Sequence, residues 1–249
     1  MILNMSLVDT SLVRDFKAIS DTHGLQESAQ EVLRELGITE IFVKGSPPKQ
    51  GPTLIVSNHP GSLDGFVMLA TISREDCYYI LINAYQVMGE KLKLKMFPIY
   101  SRRKKRDHIF KLFLQRYIEQ SDDLPKDIMQ EKNRDSITKA AQKVDEGNAV
   151  VIFPGGSAGA QPKGRKWKVG VGYLVEQIKN KDTRIVFADI RGTHKPDVLR
   201  YIHAGVRKVI FRRKKIQVIF SEPEKLSEYQ KYPPKEIAQK LEERFNNLF

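Results

Sequence analysis

One cysteine, Cys77, stands in 249 residues. No disulfide can form within the chain, so its core must hold the fold, as suits a reducing compartment. Cys77 borders a strand-like run, Tyr78 to Ile82, and reads as a small buried hydrophobe rather than a nucleophile. No stretch reaches the roughly 18 consecutive apolar residues of a membrane span. The N-terminus has no basic head followed by a pure apolar block, the mark of a secretory signal. The expectation is a cytoplasmic protein, peripheral on the inner face of a membrane. Internal repeats and low-complexity tracts are missing. So are the Gly-Lys-Ser/Thr ending of a nucleotide P-loop and the G-x-G-x-x-G of a dinucleotide fold. The basic runs carry no regularly interleaved aromatics, and there is no helix-turn-helix or zinc pattern, so nucleic acid is not the expected partner.

What is present begins with a core: 41% of residues are apolar and 9% aromatic. The length suits one large domain or two small ones. Lys and Arg number 42 against 30 acidic residues, a net charge of +12. A charge of that size calls for an anionic partner: nucleic acid, an anionic membrane surface or a phosphorylated substrate.

Residues 1–37 read as two amphipathic helices. Met5, Val8, Leu12, Phe16 and Ile19 form one apolar stripe, and Ala29, Val32, Leu33 and Leu36 the second. The pair breaks near His23-Gly24 and ends at Gly37. These faces pack on the core or lie on a lipid surface; periodicity alone does not choose. From residue 38 to 249 strands alternate with helices. Strands are expected at 41–43, 54–56, 78–82, 97–100, 149–153, 184–190 and 215–220. Helices are expected at 63–72, 86–95, 107–146 with a break at 121–125, 169–178 and 234–249. That alternation predicts an α/β fold, a mostly parallel central sheet flanked by helices, with the N-terminal helical pair beside it.

In such sheets chemistry gathers where strands lead into helices. The strand at 54–56 runs into Ser57-Asn58-His59-Pro60-Gly61-Ser62-Leu63-Asp64. This places an imidazole at the strand's exit and a carboxylate in the first turn of the next helix, a His-x4-Asp spacing. A neutral imidazole can take a proton from an alcohol, and a carboxylate on its other nitrogen holds the tautomer. The blander alternatives are a hydrogen-bonded turn histidine and an aspartate serving the helix dipole. Two further features follow strands. Arg102 and Arg103 open a run of five basic residues, and a guanidinium fork matches phosphate oxygens; most such runs are solvated loops. Pro154-Gly155-Gly156-Ser157 is a glycine-rich turn whose backbone N–H groups can hold an anion.

With these residues in place, the sequence resembles the glycerolipid acyltransferase family, the group of glycerol-phosphate and lysophosphatidate acyltransferases. Asn58 to Asp64 resembles its N-H-x4-D motif. Phe97-Pro98-Ile99-Tyr100-Ser101-Arg102 is similar to its second block, which ends in arginine. Phe153-Pro154-Gly155-Gly156-Ser157 is similar to F-P-E-G-T, and Trp167-Lys168-Val169-Gly170 to the F-K-x-G that follows. Ile185 to Ile190 stands in the place of the fourth block, with Ala188 where proline is usual. The resemblance covers roughly residues 38–225. The family has a glutamate where this chain has Gly155, and an arginine at Ala158. Those departures bear on the acyl acceptor, and the Pro-Gly-Gly turn resembles branches that act on neutral acceptors such as diacylglycerol.

The resemblance implies transfer of a fatty acyl group from a coenzyme A or acyl-carrier-protein thioester to a lipid hydroxyl. His59 would be the general base and Asp64 would orient it. Asn58, Arg102, Arg103, Gly155, Gly156, Ser157 and Lys168 are the expected substrate-binding residues. No bound cofactor and no metal are implied; the thioester is a co-substrate. The expected partners are the lipid acceptor, the anionic membrane and, where it carries the thioester, acyl carrier protein. Two other readings stay open: a neutral, non-glycerophosphate acceptor, and a non-catalytic basic protein that binds lipid or nucleic acid.

Overall fold

The computed structural model describes residues 11–61, 63–101, 124–156, 166–193 and 215–249. Two helices lead, α1 (Ser11–His23) and α2 (Leu25–Glu35). Then come β1 (Glu40–Lys44), β2 (Thr53–Ser57), α3 (Asp64–Thr71), β3 (Cys77–Ile82), α4 (Glu90–Leu94) and β4 (Met96–Ile99). The second half holds α5 (Lys126–Asp145), β5 (Ala149–Ile152), α6 (Gly170–Gln177), β6 (Arg184–Arg191), β7 (Lys215–Phe220), β8 (Glu224–Lys225) and α7 (Pro234–Leu248).

Among the described residues one sheet has eight strands, in the order β1-β7-β6-β2-β5-β3-β4, with β8 paired to β6. The five strands β6, β2, β5, β3 and β4 are parallel. β7 runs antiparallel to β6, and β1 lies parallel to β7. The mostly parallel sheet expected from the alternation is therefore present. β2 is central and buried at every position, as a strand covered on both faces must be.

Alternate residues of the central strands feed two cores. Ile55, Ala149 and Val151 face one, together with α1, α2 and α3. Leu54, Val56, Val150 and Ile152 face the other, together with α5, α6 and α7. Of the two uses open to the N-terminal helices, their described part takes core packing. Val13, Phe16, Ala29, Val32 and Leu33 are buried in the first core, and Phe16 meets Phe66 of α3 edge to face at 6.0 Å. Burying one such aromatic fully contributes on the order of 3 kcal/mol. No helix among the described residues is long and apolar enough to cross a membrane.

One expected element differs. The helix read over 86–95 is instead a short 3-10 turn, Asn83–Met88, followed by α4. Gly89 separates them at φ 120, a backbone conformation that side-chain-bearing residues avoid and that no helix can contain. Of the helix expected over 107–146, α5 supplies the second part; 107–123 lie outside the described residues, as do 1–10.

Candidate active site

The chain leaves β2 and enters α3 on the first core's side of the sheet, whereas the chain leaving β5 reaches α6 on the second core's side. β2 and β5 are neighbours. Adjacent strands whose chains depart to opposite faces open a crevice at their carboxyl ends, the place where open α/β sheets bind ligands. His59 follows the carboxyl end of β2 and Phe153 that of β5. Their rings meet with centroids 5.0 Å apart.

The His59 ring is tied to Asp64: Nδ1 lies 2.7 Å from Asp64 Oδ2. The same carboxylate oxygen accepts the Gly61 N–H at 2.8 Å. Its partner oxygen, Oδ1, accepts the Thr193 hydroxyl. Asp64 has no exposed surface, while the His59 side chain keeps 20% of its own. A buried carboxylate needs hydrogen-bond donors, and three reach this one. A carboxylate only accepts, so His59 Nδ1 carries a proton, and in the neutral ring Nε2 holds the free lone pair. Among the described residues nothing else bonds that ring. The five-residue spacing works because His59 stands in the loop before the helix and Asp64 reaches back from its first turn.

Underneath lies Tyr85. Burial pushes its hydroxyl above the ordinary tyrosine range, and the Asp64 charge pushes it further. Its ring fills the space over Gly65, where an added Cβ would stand 2.9 Å from the Tyr85 hydroxyl oxygen.

Asn58 is placed differently from the expectation. It is 1% exposed, and its amide faces inward. Nδ2 donates to Asp189 Oδ1 at 2.6 Å and to the Ile190 carbonyl at 3.1 Å, while Oδ1 accepts the Ile190 N–H at 2.8 Å. The side chain thus prolongs the β2–β6 ladder past the end of β2. Both of its donor hydrogens are engaged inside the protein, where they tie the loop to the end of β6. Asp189 also takes Arg191 Nε on its other oxygen.

The glycine-rich turn follows β5. Gly156 sits at φ 73, and its N–H closes the turn on the Phe153 carbonyl at 3.0 Å. That N–H is therefore turned inward instead of being offered to an anion, which corrects part of the expectation for this turn. Lys168 is brought beside it: its backbone N–H bonds the Pro154 carbonyl at 3.0 Å. A Cβ added to Gly156 would lie 2.5 Å from Lys168 Nζ, so the cation covers the turn. Gly155 is buried and Lys168 exposed. Trp167, packed against Phe245 at 5.5 Å, anchors this segment in the second core.

Arg102, Arg103 and Ser157 lie outside the described residues. The strand that leads to the arginines is β4, held at its exit by Asn133 of α5, which bonds both the N–H and the carbonyl of Tyr100. β4 is three places from β2 in the sheet, about 14 Å by strand spacing.

Two residues that matter to this geometry, Thr193 and Asp189, escaped the sequence reading. Asp189 carried a signal, a charge within a buried strand. Thr193 carried only its place two residues after β6.

The family model described as Acyltransferase matches residues 28–188. No curated protein matches. Among solved structures, the fold is similar to the 1-acyl-sn-glycerophosphate (LPA) acyltransferase PlsC from Thermotoga maritima. The TM-score is 0.52 at 14% identity, covering 96% of this chain and 95% of that one. The likeness at that identity is one of fold. The family match spans well over half of the sequence and contains β2, the His59–Asp64 pair and the turn after β5, and on that match this chain belongs to the acyltransferase family.

Proposed function

We propose that the protein moves a fatty acyl group from a coenzyme A or acyl-carrier-protein thioester to a hydroxyl of a lysophospholipid or glycerol-phosphate-type acceptor. The observation that carries this is the 2.7 Å contact between His59 Nδ1 and a fully buried Asp64. The acceptor hydroxyl gives its proton to His59 Nε2 as its oxygen attacks the thioester carbonyl carbon. Asp64 stabilises the imidazolium that forms. The C–S bond then breaks, and the leaving thiolate takes the proton back from Nε2. The products are an ester and a free thiol. The chain supplies base and orienter, and no acyl-enzyme is required.

Phosphate on the acceptor or the carrier would meet Arg102, Arg103 and Lys168, and the net charge of +12 would hold the protein against an anionic leaflet. This favours a cytoplasmic protein peripheral to the inner face of a membrane. A second reading, a neutral acceptor such as a diacylglycerol, draws support from Gly155, which puts no carboxylate at the turn beside Lys168.

The test is incubation with palmitoyl-CoA and a mixed panel of lysophosphatidate, glycerol 3-phosphate, other lysophospholipids and diacylglycerol, products identified by mass. Esterified phosphorylated acceptors support the first reading. Esterified diacylglycerol alone supports the second. Hydrolysis or no product on any acceptor contradicts both.

A further inference from the structure

We infer that Thr193 is a positioning residue for the reaction: its hydroxyl sets the plane of the Asp64 carboxylate so that Oδ2 meets His59 Nδ1–H. The inference rests on the reading of His59 as general base. Thr193 lies beyond the range that the family model matches.

The terminal torsion of an aspartate is broad and roughly two-fold. His59 and Gly61 both bond the same oxygen, Oδ2. Two bonds on one oxygen leave the carboxylate free to swing about it. The third bond, from Thr193 Oγ1 to Oδ1, removes that freedom, and it alone comes from a distant part of the chain. Thr193 has no exposed surface, and its β-branched side chain is stiff.

Its placement is over-determined. The Asn58–Ile190 pair locks the end of β6 to the end of β2. Gly192 then turns the chain at φ 94, where a Cβ would stand 2.6 Å from the Lys215 carbonyl oxygen. The Thr193 carbonyl lies so close to Gly61 that a Cβ there would be 1.8 Å away. Thr193 therefore touches the catalytic loop at Gly61 and the helix start at Asp64. Outer-shell groups of this kind orient reacting residues and are worth roughly 10- to 100-fold where they have been removed from metal sites.

The experiment compares Thr193→Val, which keeps the shape and removes the hydroxyl, with Thr193→Ser, which keeps the hydroxyl. Two readouts are used. The first is the His59 Nδ1–H proton signal by NMR of the full chain, which needs no substrate. A carboxylate free to swing holds that proton less well, so Thr193→Val should broaden the signal by faster exchange with water, and Thr193→Ser should restore it. The second is turnover of palmitoyl-CoA with the best acceptor of the panel: kcat falls roughly tenfold or more in the valine variant while KM moves less than about twofold.

An unchanged Nδ1–H signal overturns the inference, as does a serine variant as impaired as the valine one. A normal kcat in Thr193→Val alongside a dead His59→Ala overturns this inference and leaves the function standing. A fully active His59→Ala overturns the functional reading itself.

Discussion

The carbonyl oxygen of Thr193 lies 1.8 Å from the point where a side chain at Gly61 would begin. Gly61 is thus the one residue type that lets the end of β6 close on the loop carrying His59. Gly61→Ala must push two backbones apart, and overpacking of that kind costs about 1–3 kcal/mol. The same shift displaces the Gly61 N–H from Asp64. We expect a lower Tm and turnover reduced by roughly tenfold or more; a variant with wild-type Tm and rate would show that the two segments do not meet.

Asp64→Asn tests the tautomer. The amide can donate to His59 Nδ1, which frees the wrong nitrogen for the acceptor hydroxyl. Turnover should fall by about 10²- to 10⁴-fold with the circular dichroism spectrum unchanged. A fall of less than about threefold would remove Asp64 from the mechanism.

Away from the site, Arg74 clamps the loop before β2. It holds Asp76 through Nε at 2.8 Å, the carbonyls of Pro48 and Gly51, and the Thr53 hydroxyl. The hydrogen bond from Arg74 is the largest cause holding the Asp76 carboxyl below its ordinary value of 3.8. A carboxylate lowered on folding adds stability that is fully present above that ordinary value and lost as pH falls through the folded one. Because the Asp76 side chain is 41% exposed, screening limits the contribution to about 1 kcal/mol. Urea unfolding should show Asp76→Asn weaker by that amount at pH 7, with the gap closing below about pH 4. A gap independent of pH would contradict the assignment.

Burial pushes the Cys77 thiol up to about 12, and 2% of the residue is exposed. Thiolate is the reactive form. At pH 8 iodoacetamide should label the native protein at least about a hundredfold more slowly than the urea-unfolded chain. Equal rates would place the thiol at the surface.

The His59–Asp64 pair was legible because it is local. A strand, a Pro-Gly turn and a helix start bring His59 and Asp64 together within one short stretch of chain. The alternation of apolar strands with amphipathic helices likewise carried the parallel sheet. The pairings of Thr193 and Asp189 were not legible, because their partners Asp64 and Asn58 lie 129 and 131 residues away. Such pairings exist only once β6 is known to lie beside β2, and no local pattern states that neighbourhood. The bonds of Asn58 were hidden for the same reason: its ladder partner Ile190 lies on β6, far along the chain. Gly89 shows the reverse failure, where one continuous helix was expected over 86–95 and a positive φ divides it.

The central claim is that His59 removes the proton from the acceptor hydroxyl. Its most direct test is the rate of ester formation from palmitoyl-CoA and the preferred acceptor, product counted by mass, for wild type and His59→Ala with matched Tm. The account predicts a loss of about 10²- to 10⁴-fold in the variant; ester formation at a near wild-type rate would contradict it.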